Sequence, residues 1–454
     1  MKKKLLSIVA LIFCVAMIFT GCATVGAIKD KEGNPIYFDD AKSFGGHIAE
    51  VGDYVYYANS YVATTDEGFV YDEASNIAYL SRIENKNVYT FDEDVLPENY
   101  PNTTPNEAEK VKGGKLVGYE NQQMYALGSY LYFTSANVHK TSDMENDYTQ
   151  VSIFRIKFDG SSFQEIATFA HGDKGQIELT KGSDGQYYFV AVVPNGEKFD
   201  IKSVKVGDSF GKVKTLAEEV NTAVIADENS SIKNVIYTVD TEKDMTTIAV
   251  KAVDFATGDD ETLDEGVAGS ETKLMGRVGD YVFYSYKNPA DNVNQVYWQT
   301  INAQNNNFSP VNRFYNATTI KNLQPAYQGY IFQTEGGALV YKTLDGVEER
   351  LFAEDEYTDV MFVDGQFVYT STDTAITRVS LEDYAKEKIV KDVKMISGMG
   401  GITEDYIYFY AQLGELTADE NDEEEEEAEA DENYYMYRAD KNGNLQIIGK
   451  TAKK

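Results

Sequence analysis

The chain has 454 residues, 43% hydrophobic and 13% aromatic, with 74 acidic against 41 basic side chains and a formal net charge of −33. That apolar content excludes a disordered chain, and an acidic surface repels nucleic acid and anionic lipid headgroups, which excludes nucleic acid as a partner. Its only cysteines are Cys14 and Cys22, so everything after residue 22 folds without disulfides or thiol chemistry.

Lys2, Lys3 and Lys4 precede an apolar run over residues 5–19, which ends at Thr20-Gly21-Cys22. A run of about 15 residues is short for a membrane-spanning helix, which needs about 20, and suits the apolar region of a cleaved secretory signal. An uncleaved anchor helix is the alternative, and both readings place the remaining chain outside the cytoplasm. Phe19-Thr20-Gly21-Cys22 resembles the bacterial lipobox. The resemblance implies a signal peptide at 1–21, lipid attachment at Cys22, a lipidated linker at 22–44, and anchoring of an extracytoplasmic chain to the cell membrane by that lipid. Two acyl chains at about 0.8 kcal/mol per buried CH₂ suffice for stable anchoring.

From residue 45 onward one aromatic phrase returns eight times. It reads Gly52-Asp53-Tyr54-Val55-Tyr56-Tyr57, Gly128-Ser129-Tyr130-Leu131-Tyr132-Phe133, Gly185-Gln186-Tyr187-Tyr188-Phe189 and, degenerate, Asn234-Val235-Ile236-Tyr237. It continues at Gly279-Asp280-Tyr281-Val282-Phe283-Tyr284, Gly329-Tyr330-Ile331-Phe332, Gly365-Gln366-Phe367-Val368-Tyr369 and Asp405-Tyr406-Ile407-Tyr408-Phe409. The spacing averages roughly 50 residues, within the range of propeller blades.

Each phrase is followed by an alternating strand such as Ile153-Phe154-Arg155-Ile156-Lys157-Phe158, by a hairpin dipeptide such as Asp159-Gly160, Asp345-Gly346 or Asn442-Gly443, and by a short last strand such as Arg350-Leu351-Phe352. Gly accepts the positive φ that such turns demand. Four antiparallel strands per unit predict an all-β propeller of eight four-stranded blades over residues 45–454, with seven as the alternative count. The phrases are apolar at successive positions because inner strands have both faces covered by neighbouring blades. A sandwich or barrel is a poorer account of eight long, similar units.

Tyr132-Phe133-Thr134-Ser135 and Tyr369-Thr370-Ser371-Thr372-Asp373 give the chain a resemblance to bacterial extracytoplasmic lipoproteins of unassigned function, whose repeats are similar to the YWTD propeller of lipoprotein receptors. What the resemblance implies is the propeller fold. Most copies lack the signature's Trp and Asp, so the receptors' ligand contacts do not transfer.

With strands lettered a to d outward from the axis, the a–b and c–d turns share one face of a propeller, and the b–c and d–a connections share the other. The sequence places b–c insertions at 58–76, 135–150 and 411–433 and a d–a connection at 91–123, so nearly all extra length is expected on one face. Binding usually resides in such loops. The candidate ligand-binding residues there are Tyr61, Phe69, Tyr71, Tyr100, His139 and Tyr148, whose rings can stack on sugars or fill protein pockets.

Residues 419–432 are almost continuous acid. Such a block repels itself and stays solvated, giving an acidic loop at about 415–433 that binds cations weakly. It lacks the spaced ligands and turn glycine of a calcium loop. The only histidines are His47, His139 and His171, with no zinc spacing, and the chain carries no nucleophile elbow, phosphate loop or dinucleotide fingerprint. No metal, cofactor or catalytic residue is therefore expected. The expected function is non-catalytic binding of a protein or cell-envelope glycan through the long-loop face. A propeller hydrolase or lyase acting on polysaccharide is the alternative, and an envelope-assembly scaffold a third reading.

Overall fold

The computed structural model describes residues 28–450 apart from 31, 59–60, 66–67, 71–78, 85–88, 91–108, 117, 120–121, 137–148, 173–174, 242–243, 269–271, 289–292, 302–311, 355, 357–360, 373, 392–394 and 413–433. The aromatic phrases form the second strand of each unit, as at Tyr54–Ala58, Tyr130–Ala136 and Tyr187–Asn195. Seven regular blades, each of four consecutive antiparallel strands, follow one another over residues 124–170, 176–220, 222–268, 273–315, 320–352, 361–390 and 395–450. A further four-stranded sheet within 48–115, interrupted by inserted strands, completes the ring. It is blade 1 below, and the regular blades are 2 to 8.

Among the described residues seven apolar clusters fill the joints between blades. This is where the consecutive apolar residues go: Val55, Tyr56 and Tyr57 point alternately into the two joints of blade 1, and all three are buried. In four blades the phrase also has a polar function. Tyr56, Tyr132, Tyr369 and Tyr408 stand opposite Arg82, Arg155, Arg378 and Arg438 on the next strand. Each guanidinium lies 3.9–5.0 Å from the ring two residues before the tyrosine, namely Tyr54, Tyr130, Phe367 and Tyr406. The Tyr56 hydroxyl and Arg82 both donate to the Phe158 carbonyl in the neighbouring blade. In blade 5, Trp298 takes the arginine's place against Tyr281.

Blades 8 and 1 close the ring. Tyr410 donates to the Ala58 carbonyl at 2.8 Å, Tyr408 to the Glu50 carboxylate, and Tyr89–Thr90 adds a fifth strand to the outer edge of blade 8.

Two expectations are corrected. Residues 28–44, read as linker, are built into the ring: strand Phe38–Ser43 pairs with Met124–Gly128, the innermost strand of blade 2. The sequence concealed this because the strand, Phe-Asp-Asp-Ala-Lys-Ser, has a largely polar exposed side. Residues 91–108 are not in a d–a connection. They lie between strand c, Tyr79–Glu84, and strand d, Glu109–Lys115. Strand parity therefore puts the ends of the connection containing Tyr100 on the same face as the a–b turns, and the c–d connection after Thr300 in blade 5 does likewise. Extra length is shared between both faces, called here the a–b face and the b–c face.

Candidate binding channel

The central channel is unevenly filled. Strand Phe38–Ser43 and the turn after it occupy the side formed by blades 1, 2, 7 and 8: Ile402 donates to the Phe44 carbonyl at 2.9 Å and His47 to that of Gly400 at 3.0 Å. Gly45 lies so close to Phe362 and Gly401 that an added Cβ would come within 2.6 Å of the Phe362 ring. On the opposite side a cavity of about 420 Å³ is left, walled by the inner strands of blades 3 to 6. Tyr119, Gln123, His171 and Gly175, from the d–a connections, line its end at the b–c face, and Asp227 and Pro325 line it toward the a–b face.

Alternation along the inner strand of blade 3, Gln176–Lys181, explains the cavity's acidic wall. Ile177 and Leu179 turn toward blade 2 and pack in its joint. Glu178 and Thr180 therefore turn toward blade 4, where Thr180 donates to the Ala226 carbonyl at 3.0 Å. Glu178 is half-buried and lines the cavity. Burial, reinforced by the negative charge of Asp227, pushes its carboxyl up to about 7. Asp227 is held by the Ser230 hydroxyl at 2.9 Å and the Gly279 amide at 2.8 Å. The two donors fix the orientation of its side chain, leaving Glu178 as the group whose proton uptake the burial favours.

Arg277 is buried beside this pair and binds backbone, not the carboxylates. It donates to the carbonyls of Ile232, Asn234 and Gly279 and to the Asn234 side chain at 2.6–3.1 Å, stapling blade 5 to blade 4. Burial holds its guanidinium down at about 10, opposed by Asp227 and Asp280. At the rim, the Tyr119 hydroxyl meets Thr134 at 2.8 Å, the Gln123 amide donates to the same threonine at 2.9 Å, and Tyr125 donates to Gln123 Oε1 at 2.9 Å. His171 sets its ring edge-on to Tyr119 at 5.4 Å. Deeper in, Asn322 donates to Gln333 at 2.6 Å. The wall thus offers one carboxyl that exchanges its proton near neutrality, a fixed carboxylate, amides and an aromatic face. Among the described residues no group of three or more His, Cys, Asp or Glu side chains forms a metal centre.

Of the candidate residues named from sequence, Cys22, Tyr71, Tyr100, His139 and Tyr148 lie outside the described residues. Tyr61 falls in strand Tyr61–Thr65 and Phe69 in strand Gly68–Val70, a hairpin in the b–c connection of blade 1, with their side chains outside the description. Sequence reading missed Glu178, Asp227, His171 and Tyr119. Inner-strand alternation could have placed Glu178 opposite Leu179, but no local signal pairs it with Asp227 in the next blade.

No protein-family model matches the chain, and no curated protein matches it. Solved structures that resemble it include a eukaryotic initiation factor, at 8% identity and TM-score 0.42 over 90% of this chain and 93% of that one. TolB from Acinetobacter baumannii aligns at 7% identity and TM-score 0.32, covering 88% and 81%. An uncharacterised protein from Listeria monocytogenes aligns at 12% identity and TM-score 0.36, covering 72% and 93%. Likenesses this distant carry nothing about function.

Proposed function

We propose that this chain is an extracytoplasmic propeller, anchored by lipid at Cys22, that binds a protein or cell-envelope glycan through its b–c face without catalysis. The supporting observation is that the cavity's rim, built from Tyr119, Gln123 and His171, shares that face with the long b–c connections of blades 1, 2 and 8. Cavities of roughly 300–1,000 Å³ with a few convergent polar groups are where ligands are usually held. The test is a pull-down from envelope extract run beside a glycan array. Retention of a ligand that is lost in Tyr71→Ala or Tyr148→Ala and kept in Asp159→Lys, on the a–b face, supports the reading. Loss confined to a–b face variants, or equal from both faces, overturns it.

The Glu178–Asp227 pair favours one second reading, a hydrolase or lyase acting on polysaccharide, since a carboxyl that exchanges its proton near pH 7 beside a second acidic side chain in a cavity is the equipment of general acid catalysis. Turnover of a cell-envelope glycan that Glu178→Gln abolishes would replace the binding reading with this one.

A further inference from the structure

We propose that the a–b face is the side of the disc turned toward the membrane, and that the b–c face with the cavity rim looks away from it. This rests on the reading of Cys22 as the lipid-bearing residue.

The described chain begins at the a–b face. Ile28 and Ile36, joined by a backbone hydrogen bond of 2.9 Å, both lie beside Gly52 in the a–b turn of blade 1. Tyr37 lies against Gly128 in the a–b turn of blade 2, and Phe38 meets Phe158 of that blade's c–d turn at 5.9 Å. Strand Phe38–Ser43 then runs inward from its pairing with Gly128 to that of Ser43 with Tyr125. Between Cys22 and Ile28 the backbone makes six steps, which reach at most about 22 Å fully extended. The alternative route to the b–c face starts near the axis. It must cross three strand spacings, about 14 Å, to the outer edge and then the length of a strand, about 17–20 Å. The tether is too short for that path, so a bilayer holding the acyl chains at Cys22 faces the a–b side.

That face does not adhere by charge. Its turns carry exposed Asp53, Asp184, Asp345, Asp364, Glu404 and Asp405, which repel anionic headgroups over a screening length of about 8–10 Å at physiological salt. The lipid holds the disc at the surface, the acidic face keeps it slightly off, and the ligand arrives from the opposite side.

The body has no cysteine after Cys22, so one introduced thiol reports one place. Dyes on Asp345→Cys, at the a–b face, and on Glu197→Cys, at the b–c turn of blade 3, would be compared in the lipidated full chain. The chain would be reconstituted in phosphatidylcholine vesicles containing phosphatidylglycerol and acceptor-labelled headgroups. With the faces separated by about 17–20 Å, transfer from position 345 should exceed that from position 197 about twofold. Equal or reversed transfer in a chain shown by lipid labelling to be modified at Cys22 overturns the orientation alone. A chain that takes no lipid label, or whose Cys22→Ser variant still associates with vesicles, overturns the anchoring reading and the orientation with it.

Discussion

Tyr132 and Arg155, opposite each other on neighbouring strands of blade 2, donate to one carbonyl oxygen, that of Gly207 in blade 3, at 2.9 and 2.5 Å. The arginine also binds Gln164 at 2.9 Å and lies against the rings of Tyr130 and Phe210. Blades 2 and 3 are tied covalently only through the d–a connection between them, so this shared carbonyl fixes the rotation of one sheet against the next. Hydrogen bonds from a charged group contribute about 1.5–3 kcal/mol, and those from a neutral hydroxyl about 1. Arg155→Met should therefore destabilise by about 2–3 kcal/mol and Tyr132→Phe by about 1, read from denaturation midpoints. Arg155→Lys should not restore the loss, because an ammonium cannot span both partners as the fork does. Lys181→Ala, which removes an exposed pair with Asp40, should leave the denaturation midpoint close to that of the wild type, because solvent screens such a pair.

The Glu178 carboxyl gives stability a pH dependence. Its folded value, about 7, lies above the ordinary 4.5, so its protonated form is favoured by folding. Stability from this group is whole below about pH 4.5 and falls as pH rises through 7. Glu178→Gln removes the loss. The variant should match the wild type near pH 4 and exceed it by about 3 kcal/mol at pH 8. Parallel pH profiles of the two proteins would show that Glu178 is well solvated.

Insertion of the N-terminal strand depends on glycines. Gly46 has a φ of +107°, and a Cβ there would collide with the Gln122 carbonyl oxygen. Gly346 has a similar φ of +113° with open space around it. Gly346→Ala should cost only backbone strain, about 1 kcal/mol, while Gly46→Ala adds a collision and should cost at least about 2–3. Limited proteolysis should also cut residues 28–44 faster in the Gly46 variant.

The acidic stretch 413–433 is bounded by Gln412 and Tyr434, which are direct cross-strand partners. Replacing it with Asn-Gly closes the hairpin at a point already in register. Since loop length changes closure entropy slowly, stability should stay within about 1–2 kcal/mol of the wild type. A larger loss in the melting curve would make the stretch structural.

Strand parity in blade 1 separates residues that the sequence grouped. Tyr71→Ala and Tyr148→Ala, in b–c connections, should each cost about 1–3 kcal/mol of ligand affinity. Tyr100→Ala, whose connection leaves and returns at the a–b face, should leave it unchanged. Binding isotherms of the three variants against one captured ligand decide the matter.

The sequence by itself determined the strands and the propeller. Apolar runs such as Val55-Tyr56-Tyr57 and turns such as Asp159-Gly160 are local signals, and a strand covered on both faces needs no distant information to be recognised. The tertiary structure alone decided which edge Phe38–Ser43 would join, on which face Tyr100's connection would begin and end, and that Glu178 would meet Asp227. Each of these depends on pairing across 49 residues or more, or on parity in a blade whose strands are interrupted. Backbone hydrogen bonds are the same at every free sheet edge, so residue type does not mark the partner. Only the assembled ring, which brings every inner edge to one channel and leaves one side of that channel unfilled, selects where a polar strand lies and which carboxyl faces the cavity.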